Sequence, residues 1–323
     1  MNKEATVTKQ KLSAGQFYKK YGLFIILGVM VVVMAFANSN FMSVANWQNI
    51  MRQMSVNGLL AIGVTFIILT GGIDLSIGSI VGFAGIMTAL VAQNHELPLI
   101  VPLLVGCACG AGLGAVNGLL VGFLRIPAFI TTLGMVSIAR GLTFIMCDAR
   151  PVAKLMPAFL EIGKGNVGGI PIPMIILIVC FVIASIVLYK MRYGRYIYAI
   201  GGNREAAITS GLKVRVLEMS TYLIAGLMAG LAAIVYTSRV TSGLPQAGEG
   251  YELDAIAASV IGGVSLSGGE GKLWGTLIGA VILAVIQNAL DIMVVSSYYQ
   301  LIIKGALIVG AVYIDRLTKA GDK

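Results

Sequence analysis

The chain has 323 residues, 58% of them hydrophobic and only 11% charged, with 41 glycines and a formal net charge of +9. Soluble domains carry about 25% charged residues, so this balance excludes a water-soluble enzyme, and its high apolar content excludes a disordered chain. What remains is an all-α polytopic membrane protein. The 23 Lys and Arg fall between apolar runs rather than on a soluble domain, which points to membrane orientation and not to nucleic acid.

A helix crosses the hydrocarbon core with about 20 apolar residues. A polar, basic stretch, residues 1–20, precedes the first run, Leu23–Ala37. Positive charge, an apolar core and Ala35-x-Ala37 also fit a secretory signal. The many later spans favour a retained first helix that sets their orientation. Residues 38–52 read as an amphipathic connector. Apolar runs follow at 54–69, 77–92, 100–124, 128–146, 172–188, 219–235, 253–264, 274–290 and 298–314, with a polar segment over 148–171. This makes about ten transmembrane helices, with 253–264 the shortest. In the run 100–124, Gly106, Gly110, Gly114 and Gly118 recur every four residues and line one face, which allows close approach of another backbone.

With both termini on one side, sixteen Lys and Arg lie on that side, including Arg125, Lys190, Arg192, Arg195, Arg204, Lys213, Arg215 and Lys272. The other side holds Arg52, Arg150, Lys154, Lys164 and Arg239. The positive-inside rule makes the first side cytoplasmic. Arg140 and Lys304 lie within spans and must face the bundle interior or snorkel. Cys107, Cys109, Cys147 and Cys180 read as small hydrophobes, and one loop histidine, His95, is too little for a metal site. No nucleophile–base–acid set is present for a membrane-embedded enzyme.

Two helix pairs are interrupted by similar polar words, Leu75-Ser76-Ile77-Gly78 and Leu266-Ser267-Gly268-Gly269. Broken, glycine-rich helices in two halves mark a transport path, while a tight turn between helices draws on the same residues. Leu266–Glu270 also looks like the signature of an ABC ATPase, but the phosphate-binding loop that must accompany it is missing: Gly271-Lys272 is followed by Leu273.

The segment 189–218 is the largest between spans and carries Gly201-Gly202-Asn203-Arg204-Glu205-Ala206-Ala207-Ile208-Thr209-Ser210-Gly211. Asn203 suits an N-cap, Glu205 the first turn and Gly211 the position just past the C-terminus. A two-turn helix outside the membrane follows, with small residues Ala206 and Ala207 able to seat in another protein; an ordinary capped interfacial helix has the same sequence logic. Glu205-Ala206-Ala207-x3-Gly211 resembles the E-A-A-x3-G motif that ABC importer permeases present to their ATPases, without that motif's I-x-L-P ending over 213–217. The stretches 69–79, 194–203, 250–258, 275–280 and 296–300 are similar to the bacterial monosaccharide permease family.

That resemblance implies a permease subunit of an ATP-driven importer for a monosaccharide, ribose or a similar sugar, in the bacterial inner membrane. Residues 1–20 and 317–323 would be cytoplasmic tails around a permease domain, 21–316, whose coupling loop is 189–218. The implied partners are a cytoplasmic ABC ATPase, which holds the ATP and Mg, a periplasmic sugar-binding protein and a second permease chain, in a homodimer. The chain itself would bind no cofactor and carry no ATPase site. Asn203, Glu205, Ala206, Ala207 and Gly211 become the ATPase-coupling residues. Asn57, Thr65, Asn117, Thr131, Gln287 and Asn288, polar on apolar helices, become candidates for the path, although each could equally serve an interhelical hydrogen bond. The alternative is an ion-coupled secondary transporter of a small polar solute; the absence of a carboxylate squarely at mid-membrane counts against it.

Overall fold

The structure is a computed structural model that describes residues 14–320, with side chains described for 22–310, 312 and 313. The expected tails therefore lie largely outside the described residues. In chain order the helices are α1 (Ala14–Ala37), α2 (Val44–Leu69), α3 (Ile77–Ala92), α4 (Ile100–Gly122), α5 (Ala128–Cys147) and α6 (Pro157–Lys164). After strands β1 (Asn166–Val167) and β2 (Ile170–Pro171) come α7 (Ile172–Tyr189), α8 (Arg192–Gly202), α9 (Arg204–Thr209), α10 (Val214–Val240), α11 (Tyr251–Ile261), α12 (Leu273–Ile292) and α13 (Ser297–Ala320).

Every apolar run has a helix, although α4 stops two residues before the end of the run 100–124 and α11 three before the end of 253–264, and the helices are not equivalent. Among the described residues six are long and apolar enough to cross a membrane: α2, α4, α5, α7, α10 and α12. Helix α3 has 16 residues and α11 has 11, about 24 and 16 Å at 1.5 Å per residue, short of a ~30 Å core. The segment 38–52 is not a connector throughout. Ser43 caps α2, its Oγ accepting from Asn46 N at 3.3 Å, and the helix runs on through the polar residues to Leu69. Those polar residues have partners: Arg52 donates to Lys164 O and Asn166 Oδ1. The polar segment 148–171 contains helix α6 and a hairpin whose Gly168-Gly169 turn, at φ +57° and +84°, supplies the left-handed residues that a two-residue hairpin requires.

Helix α2 is the axis of the molecule. Largely apolar from Met54 onward, it is buried over almost all of that stretch, whereas the outer faces of α4, α5 and α7 carry exposed residues such as Leu104, Ile138 and Ile183. Two kinds of seam surround it. Gly106, Gly110, Gly114, Gly118 and Gly122 on α4 lie against α10, where Gly230, Gly226, Tyr222, Met219 and Arg215 present backbone. A methyl added at Gly118 would stand 2.5 Å from Met219 O, so only glycine permits this approach. On the other side, α2 meets α11 and α12 through polar side chains. Arg140 of α5 faces the interior, donating to Pro245 O and Ala247 O at 2.6 and 3.1 Å, and so holds the segment between α10 and α11.

Candidate functional site

The two interruptions expected from sequence meet in space, and the root of α9 is wedged between them. Gly269 N donates to Leu69 O at 3.0 Å, joining the α11–α12 break to the end of α2. Gly201, near the end of α8, leaves no room for a methyl, which would collide with Leu69 O and Gly269 N. Gly268 and Gly269 adopt φ +83° and +75° and stack on Gly201 and Gly202 at distances that a side chain would close. Tyr198 of α8 donates to Gly271 O at 2.8 Å, and Tyr189 accepts from Leu273 N at 2.7 Å, tying the same segment to the start of α12. Burial and the neighbouring Tyr189 push the Tyr198 phenol above its ordinary range, which keeps it a hydrogen-bond donor.

Helix α9 itself is short and locally determined. Asn203 Oδ1 accepts from Ala206 N at 2.9 Å, and Gly211, at φ +81°, turns the chain after the Ser210 cap. Arg204 reaches back to α10 and donates to both oxygens of Glu218, at 2.7 and 3.1 Å, a bidentate pair that fixes α9 on the end of α10. Glu205, 83% exposed, points outward with Ala206. Ala207 does not: it is buried against Ile200 and Val214, so the two alanines face opposite ways. An open groove of about 330 Å³ runs beside α9, floored by Phe123, Ile208, Leu212 and Val214 and rimmed by Arg125, Arg204, Lys213 and Arg215. The end of the bundle that carries α9 is thus both cationic and apolar, suited to an acidic or amphipathic surface.

The six polar residues singled out on apolar helices divide into two groups. Four lie on the α2–α12 side. Asn46 and Asn288 exchange amide hydrogen bonds at 3.0 and 2.8 Å, Asn57 and Gln287 line one small cavity, and Thr65 Oγ1 lies 3.2 Å from Ser259 Oγ and 3.0 Å from Thr276 Oγ1. From Asn46 to Thr65 the helix rises about 28 Å, close to the full core thickness. Asn117 and Thr131 are elsewhere. Asn117 of α4 donates to Ser76 Oγ at 2.8 Å, and that hydroxyl donates to buried Asp74 at 2.6 Å, so it braces the α2–α3 break. Thr131 is buried in α5. Lys304, expected to face the interior or snorkel, pairs with Asp254 at 3.0 Å between α13 and α11, a partnership that sequence reasoning did not supply; that reasoning also missed Ser259 and Thr276. A polar side chain repeated on several apolar helices was the available signal, but not which helices adjoin.

A family profile described as "Branched-chain amino acid transport system / permease component" matches residues 46–312. The ribose import permease protein of Bacillus subtilis (strain 168) is 42% identical over 323 residues, covering 99% of this chain and 100% of the relative. The ribose import permease protein of Escherichia coli (strain K12) is 41% identical over 318 residues, 96% of this chain and 99% of the relative. The D-allose transport system permease protein of the same strain is 38% identical over 310 residues, 96% and 95%. No solved structure matches significantly.

Proposed function

Because the chain belongs to the family of transport-system permease components, we propose that it is the membrane permease subunit of an ATP-driven ABC importer that moves a monosaccharide, ribose or a close analogue. The family description names amino acids, but the relatives that match this chain end to end at 38–42% identity are sugar permeases, and that favours a sugar. In this reading α9 is the coupling helix, with Asn203, Glu205, Ala206 and Gly211 shaping its exposed side, Ala207 anchoring it from beneath, and the groove beside it receiving the ATPase. The observation that carries the reading is the wedge at Gly201, in α8 just before α9: a push there would reach the end of α2 and the loop before α12 through close backbone contact.

The importer would comprise two copies of this chain, a cytoplasmic ATPase that holds ATP and Mg, and a periplasmic sugar-binding protein. Ten helices, α3 and α11 included, would set both termini and α9 in the cytoplasm of the bacterial inner membrane, as the basic residues around Arg125, Lys190, Arg204 and Lys272 favour. Residues 1–20 and 317–323 would be tails of a permease domain, 21–316. The chain itself would neither hydrolyse ATP nor hold a cofactor. Tilting of the helices between outward- and inward-open states needs only different contacts in the two states, because affinity for the sugar resides in the binding protein. Purification of the tagged chain from its native membrane should bring the ATPase with it, and proteoliposomes should accumulate ribose only when ATPase, ATP and binding protein are all supplied. Accumulation by the chain alone in an ion gradient would overturn the reading in favour of a secondary transporter.

A further inference from the structure

We propose that the groove beside α9 binds the headgroup of an anionic phospholipid, held where the turn between α4 and α5 meets the start of α10. The inference takes from the importer reading only the position of this end of the bundle at a membrane surface. It depends on neither the solute nor the source of energy.

No carboxylate lines the groove, and of its four cations only Arg204 is paired, closely with Glu218 and distantly with Glu205. The side chains of Arg125, Lys213 and Arg215 make no ion pair or hydrogen bond among the described residues. Three like charges around one opening of about 330 Å³ repel one another until an anion enters. Arg125 stands at φ +58°, a left-handed conformation that glycine adopts at less cost, so the turn keeps an arginine where its backbone favours another residue.

The apolar surface beside the groove selects the anion. Phe123, Leu124, Ile126 and Phe129 are exposed on both sides of Arg125 in the chain, and exposed Val216 follows Arg215. A phospholipid satisfies both features at once, with its phosphate among the cations and its acyl chains along Phe123 and Phe129. A soluble anion would leave the apolar floor wet. The chain's own first residues, with Lys3, Lys9 and Lys11 against Glu4, carry the same sign as the rim. The volume lies near the lower end of the roughly 300–1,000 Å³ of ligand pockets, which suits a headgroup and not a whole lipid. The ATPase keeps the α9 wall, where Glu205 and Ala206 face outward, and the headgroup takes the α4 wall. There Gly122 packs on Arg215 O, so a headgroup bridging Arg125 and Arg215 would brace the last turn of the α4–α10 contact.

The test uses the whole chain, purified in a neutral detergent, and follows its melting temperature as phosphatidylglycerol or phosphatidylcholine is titrated in. A ligand that binds only the folded chain raises that temperature with a midpoint set by its affinity. Two double variants of equal charge are compared with the parent: Arg125→Gln with Arg215→Gln in the groove, and Arg192→Gln with Arg195→Gln on α8, outside it. All four side chains are exposed, so both variants should fold. The parent and the α8 variant should respond to about tenfold less phosphatidylglycerol than phosphatidylcholine. The groove variant should lose that tenfold preference, about 1.4 kcal/mol. Equal responses in the two variants would reveal diffuse attraction and overturn the proposal, as would a parent indifferent to headgroup charge. Equal protection by inorganic phosphate would give the groove to a soluble anion, and displacement of the lipid by added ATPase would give it to the ATPase; either result also overturns it. The importer reading fails by a different measurement, the uptake assay, which leaves these titrations untouched.

Discussion

Two seams hold the bundle together by opposite means, and the contrast shows where rigidity is separated from exchange. Between α4 and α10, five glycines on α4 bring backbone against backbone, with few side chains between them. Association in lipid gains nothing from hydrophobicity, so close van der Waals contact is what fixes such a pair. Around α2, where α11, α12 and α13 gather, the close approach of α12 to α11 at Gly275 and Gly279 is joined by amides, hydroxyls and one ion pair, each able to trade its partner for another polar group. The α8–α9 segment touches both: Arg204 of α9 binds Glu218 near the start of α10, and Gly201 of α8 meets the end of α2 and the loop before α12. It can thus be braced on the stiff seam while pressing on the polar one.

The largest effect expected is at the glycine seam. A side chain at Gly110 would enter the backbone of Gly226 and Gly230, whereas Gly112, two residues on and on the same helix, has open space around it. Gly110→Leu should cost about 3 kcal/mol or more, since overpacking here displaces backbone rather than a rotamer, and Gly112→Leu almost nothing. Size-exclusion profiles and melting temperatures of the two purified variants decide it; equal behaviour would mean that the seam is not closed by glycine. Next comes Gly201→Val, which drives a side chain between Leu69 O and Gly269 N. It should abolish sugar import by more than about tenfold, beyond what a local stability loss of roughly 1–3 kcal/mol explains in a folded, purified chain. Normal import by that variant would break the link between α9 and the polar seam.

Much of this contrast was legible beforehand, but unevenly. The four-residue spacing of Gly106, Gly110, Gly114 and Gly118 announced a close-packed face because a glycine stripe has few other uses on an apolar helix. Asn203 and Gly211 announced α9 because caps are set by local backbone geometry. The start of α2 was hidden: Asn46 and Arg52 are polar because they bond Asn288 and Asn166, partners more than 100 residues away. The same blindness applies to Asp254 and Lys304, 50 residues apart, and to Asn117, which looked like Thr65 until α4 was seen to face the α2–α3 break instead of α12. A uniformly apolar helix carries no moment that says which face is inward, so polar residues are visible in the sequence while their neighbours are not. Helix α8, amphipathic and only 11 residues long, was absorbed into a loop for a related reason: no apolar run announces it.

Glu205→Lys tests the exposed end of the chain of contacts. The side chain is 83% exposed, and its only ion pair among the described residues is a long surface one, 4.0 Å from Arg204, so melting should change by no more than about 1 kcal/mol. In the proposed coupling role Glu205 is an exposed carboxylate on an otherwise cationic face, so its reversal should nonetheless lower import about tenfold, on the order of 1.4 kcal/mol in engagement of the ATPase. A variant that imports normally would place the ATPase contact elsewhere on the α9 end, with the groove of Phe123 and Leu212 the next surface to mutate.

The smallest effect separates hydrogen bonds that can be exchanged from those that only hold. Thr65 Oγ1 bonds Ser259 and Thr276 across helices and Ala61 O within its own. Interhelical hydrogen bonds in membranes average about 0.6 kcal/mol, because an unpaired hydroxyl there finds another partner. Ser259 already has one in Ala255 O at 3.0 Å. Thr65→Val should therefore destabilise by only about 1 kcal/mol, and adding Thr276→Val should cost less than the sum, since the second change removes the hydroxyl that the first left alone. If stability is the only role of the cluster, import should follow melting temperature through this double-mutant cycle. If the hydroxyls also hand a sugar along the seam, import in the double variant should fall further than either single change, and by more than its sub-additive loss of stability explains. The two curves diverging at the double variant is what a seam built for exchange requires, and a glycine seam has no equivalent.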